Sequence, residues 1–331
     1  MADNDQLIDR GREALERRAM FKRAGMGVAG AAAFGLLAKT AVSPTPAQAA
    51  TTPQTPTGSP TQLDLNILNF ALNLEYLEAQ FYLNALTGTG LTAAQLAGGN
   101  GQVGGTPVAA GKTAVSFATP IVRQLAQTIA ADELAHVLFL KGALGTAAVP
   151  APVIDVSAAG AFTTLAVAAG LISAGQIFNP YQDENAFLLG AYIFEDVGVT
   201  AYGGAAALLS QPSALVQYAA SILAMEAYHA GTIRTLLTVR GGGGATDAVS
   251  NLRSMLSSGA APGTAQGDDF GTFDTVNNVV MLAPRDANAL SYRRSVQQVL
   301  NIVYGNSGTG RTSGLFFPNG LSQAAGVTGF A

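Results

Sequence analysis

Apolar residues recur along this chain at steps of three and four, in four long stretches separated by runs of Gly, Pro, Thr and Ser. In the first, Leu65, Leu68, Leu72, Glu75, Ala79 and Tyr82 fall on one stripe, which predicts a helix from Leu63 to about Leu86. A Gly/Thr/Ala-rich stretch, 87–118, reads as a long loop. The second helix is expected over Pro120 to about Gly142, with the proline in its first turn. A connection over 143–182 follows, in which 159–173 is apolar enough for an additional helix. The third helix is expected over 183–209, with Asp183 and Glu184 at its positive end. A short break at Gln211-Pro212 leads to the fourth, 213–240, which the glycines 241–244 should stop.

The connection lengths set the topology. A long central link and a tight turn between the last two helices describe two helical hairpins joined by a crossover. The fold class expected is therefore all-α: a four-helix bundle over 63–240, with an irregular C-terminal extension over 241–331 packing on it. Within the extension, Asn288–Tyr304 reads as a helix with Asn288 at its N-cap, and the remainder as loop or extended chain.

The N-terminus reads differently. Arg17-Arg18-Ala19-Met20-Phe21-Lys22 precedes an apolar run from Ala24 to Ala38, and Ala47-Gln48-Ala49 closes the segment. That order resembles a twin-arginine export signal, 1–49, cleaved after Ala49. Glu16 stands where such signals usually carry Ser or Thr. The apolar run, about 15 residues, is short for a membrane span. The expectations are a periplasmic or secreted protein, the twin-arginine machinery as a partner, and no stable span in the mature chain. Residues 50–62, rich in Pro and Thr, are expected to be a disordered linker.

Composition narrows the chemistry. The chain is 49% hydrophobic and 11% charged, with no Cys, so thiolate sites and disulfides are excluded. Its formal net charge is -4, and removing 1–49 makes the remainder more acidic. Nothing in it forms the basic face a nucleic-acid partner needs. Homo-oligomerisation is left open. Gly99-Asn100-Gly101-Gln102-Val103-Gly104 matches a dinucleotide fingerprint, but no strand precedes it. Gly111-Lys112-Thr113 imitates the end of a phosphate loop, with Thr106 where the first glycine belongs.

The two histidines carry the strongest signal. Both stand in Glu-x-x-His: Glu133/His136 and Glu226/His229. With 8 glutamates in 331 residues, chance would place both histidines so about once in 1,700 trials. Three residues along a helix return the side chain to nearly the same face, so a carboxylate and an imidazole aim at one point. The first and third helices each supply a Glu followed seven residues later by a Tyr: Glu75/Tyr82 and Glu195/Tyr202. The chain therefore repeats Glu-x6-Tyr then Glu-x-x-His, which implies approximate two-fold symmetry about one site.

Four glutamates and two imidazoles suit two metal ions, Fe or Mn, with Zn a further fit. Two divalent cations would also balance four buried carboxylates. The expected ligands are Glu75, Glu133, His136, Glu195, Glu226 and His229. Glu78 is a possible extra ligand or a replacement for Glu75. Tyr82 and Tyr202 are expected to hydrogen-bond the ligating glutamates, and Asp132 to accept the outer N–H of a histidine.

The segments ILNFALNLEYLEAQFY (67–82), DELAHVLFLK (132–141), FEDVGVTAYGGAA (194–206) and EAYHAGTIRTLL (226–237) resemble the ferritin-like family that includes desiccation-related proteins. QQVLNIVYG (297–305) and GLFFPNGL (314–321) resemble it as well. The resemblance implies a ferritin-like bundle and metal roles for the same six residues. Two functions are consistent with it: redox chemistry on peroxide or oxygen, or a non-enzymatic protective or structural role in the envelope. Iron storage is a weaker third.

Overall fold

The computed structural model describes residues 60–111, 113–210, 214–258, 267–274, 277–307 and 310–323. The expected export signal, 1–49, and linker residues 50–59 lie outside the described residues.

Four long helices form the body. Helix α1 spans Gln62–Thr87, and the four-residue α2, Ala93–Leu96, interrupts the loop expected after it. Helix α3 spans Pro120–Leu144, with the proline at its first turn. The crossover carries the short α4, Thr163–Ala168. Helices α5, Glu184–Ala205, and α6, Ala214–Val239, complete the set. The pairs α1/α3 and α5/α6 pack along their lengths, and α1 meets α5 across the middle. This is the expected pair of hairpins with a long crossover.

Local chemistry fixes the helix ends. Thr61 and Asp64 form a reciprocal capping box at the start of α1, and Asp64 also accepts the Ser210 amide at 2.8 Å. The last positions of the expected linker are thus ordered: Thr61 caps the helix and Gln62 opens it. Asp183 caps α5 by accepting the N–H groups of Asn185 and Ala186. The crossover is tied to α1 through Asn69, which donates to Ala147 O and accepts from Val149 N, both at 3.0 Å.

An aromatic cluster fills the bundle beside the crossover. Phe81 of α1 stacks on Phe187 of α5 at 5.7 Å and contacts Phe162 of the crossover and Phe194 of α5. Phe316, from the C-terminal part, closes on Phe162 and Phe194. Burial of each such ring stabilises the fold by about 1.5–3 kcal/mol.

The C-terminal part departs from expectation. The glycines 241–244 stop α6 as expected, after Val239, but a further helix, α7, Gly243–Ser258, begins among them. Beside Val249 and Leu252, its buried positions are Thr246, Ser250, Arg253, Ser254 and Ser257, so much of the packed face is polar. The later helix is also shorter than expected. Helix α8 spans Val296–Val303, and Ser295 with Gln298 forms its capping box, so Asn288 is not the N-cap. The amide of Asn288 instead donates to the Asp286 side chain in a turn ahead of the helix. Two short strands, β1 (Phe273–Asp274) and β2 (Val279–Val280), pair antiparallel. Among the described residues no helix is long and apolar enough to cross a membrane.

The glycine-rich stretch near residue 100 packs as a loop. Gly99 N donates to Ala148 O, and Gly105 N to Ala151 O, which lays it on the start of the crossover. No strand precedes it among the described residues, consistent with rejecting the nucleotide fingerprint.

Candidate metal centre

Glu75 of α1, Glu133 and His136 of α3, Glu195 of α5, and Glu226 and His229 of α6 come together in the middle of the bundle. The four carboxylates are at most 1% exposed. Their donor atoms form two groups, each close enough to surround one ion: Glu75, Glu133, His136 and Glu226; and Glu133, Glu195 and His229. Glu133 belongs to both.

Both imidazoles turn Nδ1 inward. His136 Nδ1 lies 3.2 Å from Glu75 Oε2, 3.5 Å from Glu133 Oε2 and 3.8 Å from Glu226 Oε1. His229 Nδ1 lies 2.9 Å from Glu133 Oε1 and 3.5 Å from Glu195 Oε2. The outer nitrogen of His229 lies 3.1 Å from Asp132 Oδ2, the place the sequence suggested for that carboxylate.

The tyrosines cross the bundle. Tyr82 of α1 donates to Glu195 Oε1 of α5, and Tyr202 of α5 donates to Glu75 Oε1 of α1. Each hydroxyl anchors one oxygen of the glutamate on the opposite hairpin and leaves the other facing the centre. The repeat seen in the sequence is thus an approximate two-fold exchange of hydrogen bonds.

Glu78 is buried beside the cluster but belongs to neither converging group. It borders an internal void of ≈ 10 Å³, room for about one water, with Leu74, Leu77, Ile193 and Phe194 among the lining residues.

The electrostatics are those of a crowded, dry carboxylate cluster. Burial pushes the Glu75 carboxyl up to about 7 against the pull of His136. Burial and the neighbouring carboxylates hold Glu78 and Glu226 well above the usual range, and burial raises Glu195. Glu133 goes the other way: burial opposes its charge, but the adjacent imidazoles of His136 and His229 outweigh it. Burial would discharge His136, yet Glu75 and Glu133 hold its pKa up at about 10, and Glu195 and Asp132 likewise raise His229.

The donor set fits metal. Both oxygens of Glu133, both of Glu226, Glu195 Oε2 and His229 Nδ1 are buried without a hydrogen-bond partner among the described residues. Buried polar atoms left unpaired cost roughly 1–3 kcal/mol each, and more when charged, a cost that a bound cation would offset. Oxygen donors with imidazole nitrogen are what a transition-metal cation takes.

Sequence reasoning missed two features. Gly198 lies one turn after Glu195; a Cβ there would stand 2.2 Å from Glu226 Oε2. A glycine inside an otherwise strong helix was the available signal. The second feature is a buried ionic network beginning at Asp196, next to Glu195. Its carboxylate holds Arg234 of α6 and Arg253 of α7, each at 2.8 Å. Arg253 and Arg294 then share Asp269, both at 2.9 Å.

A helical bundle that supplies one glutamate from each of two helices and a Glu-x-x-His from each of the others defines the carboxylate-bridged metalloproteins as a class. The chain belongs to the ferritin-like domain family, whose model matches residues 63–239. It is similar to the Ferritin-like catalase Nec2 of Nesocodon mauritianus, 29% identical over 275 residues, or 78% of this chain and 83% of that one. It is also similar to the Desiccation-related protein PCC13-62 of Craterostigma plantagineum, 33% identical over 186 residues, or 56% of this chain and 55% of that one. No solved structure gives a significant match.

Proposed function

We propose that the protein binds two ions of Fe or Mn and disproportionates hydrogen peroxide to water and oxygen. The observation that carries this reading is the set of buried, unpaired carboxylate oxygens converging with His229 Nδ1. The relative named a ferritin-like catalase, matched over most of both chains, supports peroxide as the substrate. Glu75, Glu226 and His136 would hold one ion, Glu195 and His229 the other, and Glu133 would join them. Bound Fe or Mn supplies reversible electron exchange with peroxide.

The chain's own residues do the rest. Tyr82 and Tyr202 orient Glu195 and Glu75 by fixing one oxygen of each. Asp132 sets the tautomer of His229 by taking its outer N–H. Glu78 is placed to hold a proton at its carboxyl, because burial and nearby carboxylates oppose its ionisation. Phe81, Phe187 and Phe194 keep bulk water from one flank.

Oxygen evolution from hydrogen peroxide by metal-loaded protein tests the reading. Turnover is expected with Fe or Mn and should disappear after chelation. Replacing Tyr82 and Tyr202 together by Phe should lower turnover about tenfold or more with the helical fold retained. Fully loaded protein that evolves no oxygen would refute the proposal.

A protective role in dehydration is the second reading, favoured by the likeness to the desiccation-related protein. It predicts that metal-free protein still protects. Export through the twin-arginine route belongs to the same proposal, since that route carries folded chains and would let metal be loaded first. It rests on Arg17-Arg18 and Ala47-Gln48-Ala49. Replacing Arg17 and Arg18 by Lys should retain the protein in the cytoplasm, and cell fractionation reads that directly.

A further inference from the structure

The doubled pattern of the site is broken in two places, both on the same side. Asp132 precedes Glu133, but Met225 precedes Glu226. A carboxylate on α3 therefore braces His229, while the corresponding residue on α6, Met225, carries only a thioether, a weak acceptor. The histidine without the carboxylate is the more exposed one, with 12% of its side chain accessible against 5% for His229.

The second break concerns the residue after each lone glutamate. Glu75 is followed by Tyr76, whose hydroxyl donates to Val149 O at 3.3 Å. Glu195 is followed by Asp196, the centre of the buried network. Arg253 also donates to Tyr192 O of α5 at 2.6 Å, one turn before Asp196. Arg294 donates to Thr200 Oγ1 at 2.9 Å, one turn after it. Arg234 ties the same carboxylate to α6, five residues beyond His229. Arg253, Asp269 and Arg294 all lie beyond residue 239, outside the part of the chain that the family model matches. The C-terminal region thus reaches back to grip the backbone that carries Glu195 and the helix that carries His229.

The geometry points to a one-sided brace: Asp132 and the Asp196–Arg253 clamp are positioning residues for the metal position at Glu195 and His229, and leave the position at Glu75 and His136 largely independent of them. The inference rests on the proposed two-metal reading and deepens it. It explains why the braced side can manage with fewer donors. Three residues converge there against four on the other side. A smaller ligand set needs better preorganisation to reach comparable affinity, and an outer partner of a histidine ligand is typically worth 10–100-fold in metal affinity.

The test is Mn²⁺ binding to the metal-free full chain, with free Mn²⁺ read by electron paramagnetic resonance and folding by circular dichroism. Wild type should bind about two ions per chain. At the free Mn²⁺ level that saturates wild type, Asp132→Ala and Asp196→Asn should each bind about one, because one position weakens 10–100-fold. Adding Glu75→Gln to Asp132→Ala should remove the remaining ion, and adding Glu195→Gln should not. Asp132 is partly exposed, so its variant is expected to fold normally even if Asp196→Asn is destabilised. The inference is overturned if folded Asp132→Ala binds two ions, or loses both together. Wild type that binds two ions without peroxide turnover would instead refute the proposed reaction and leave the brace intact.

Discussion

Gly198 shows how tightly single residues constrain the centre. Its missing side chain leaves room for Glu226 Oε2, which a methyl group would meet at 2.2 Å. Gly198→Ala should therefore displace Glu226, cost about 1–3 kcal/mol of stability through overpacking, and weaken metal binding. Chemical denaturation and metal counting check the two effects separately. At this scale the six candidate donors were legible because Glu and His are scarce and their spacings repeat. The tyrosines were legible as glutamate partners, but their crossed pairing was not, since it depends on which hairpin faces which. Glu78 is ambiguous in the sequence, three residues after Glu75, and in the structure it lies beside the cluster and in neither converging group. The three buried arginines were not legible. Arg234, Arg253 and Arg294 look like ordinary surface cations until carboxylates from distant segments are brought to them.

At the scale of elements, the N-terminus of α1 couples a helix cap to the turn after α5. Asp64 is buried, and burial opposes its charge, but hydrogen bonds from Ser210 and Thr61 outweigh that and hold its carboxyl down to about 2. An unfolded aspartate titrates near about 3.9. Because the folded value is the lower one, the stabilisation is fully present above about pH 4 and is lost as pH falls through about 2. Asp64→Ala should cost about 1–3 kcal/mol at neutral pH and flatten the acid limb of the stability curve, which urea titrations at several pH values would show. Helices α1, α3, α5 and α6 were legible because each carries apolar stripes of helical period. Helix α7 was hidden by its start within a glycine run and by the many Thr, Ser and Arg residues that share its buried face with Val249 and Leu252. Helix α8 was placed too early because Asn288 offers the same capping chemistry as Ser295, and only the latter has Gln298 three residues on.

At the scale of the whole molecule, the bundle and the C-terminal region are held together by buried charge as well as by apolar packing. Asp196 and Asp269 alternate with Arg234, Arg253 and Arg294 in a chain that runs from α6 through α5 and α7 to the residue just ahead of the α8 cap. Removing one member strands its partners, so Arg253→Met should destabilise the protein by about 3–5 kcal/mol. Adding Asp269→Asn should recover part of that loss, and a double-mutant cycle measured by denaturation would show the coupling. Metal binding as proposed would stabilise the same assembly, because ions that bind only the folded state shift the folding equilibrium towards it. Chelation should therefore lower the melting temperature, and readdition of Fe or Mn should restore it. The central claim is that side chains from four helices converge to hold two ions. Elemental analysis of the full chain, loaded with Fe or Mn and freed of loosely bound ions, tests it most directly. About two ions per chain are predicted, falling to near zero in Glu133→Ala, which removes the carboxylate common to both groups. A folded wild-type protein that retains no metal after loading would contradict the account.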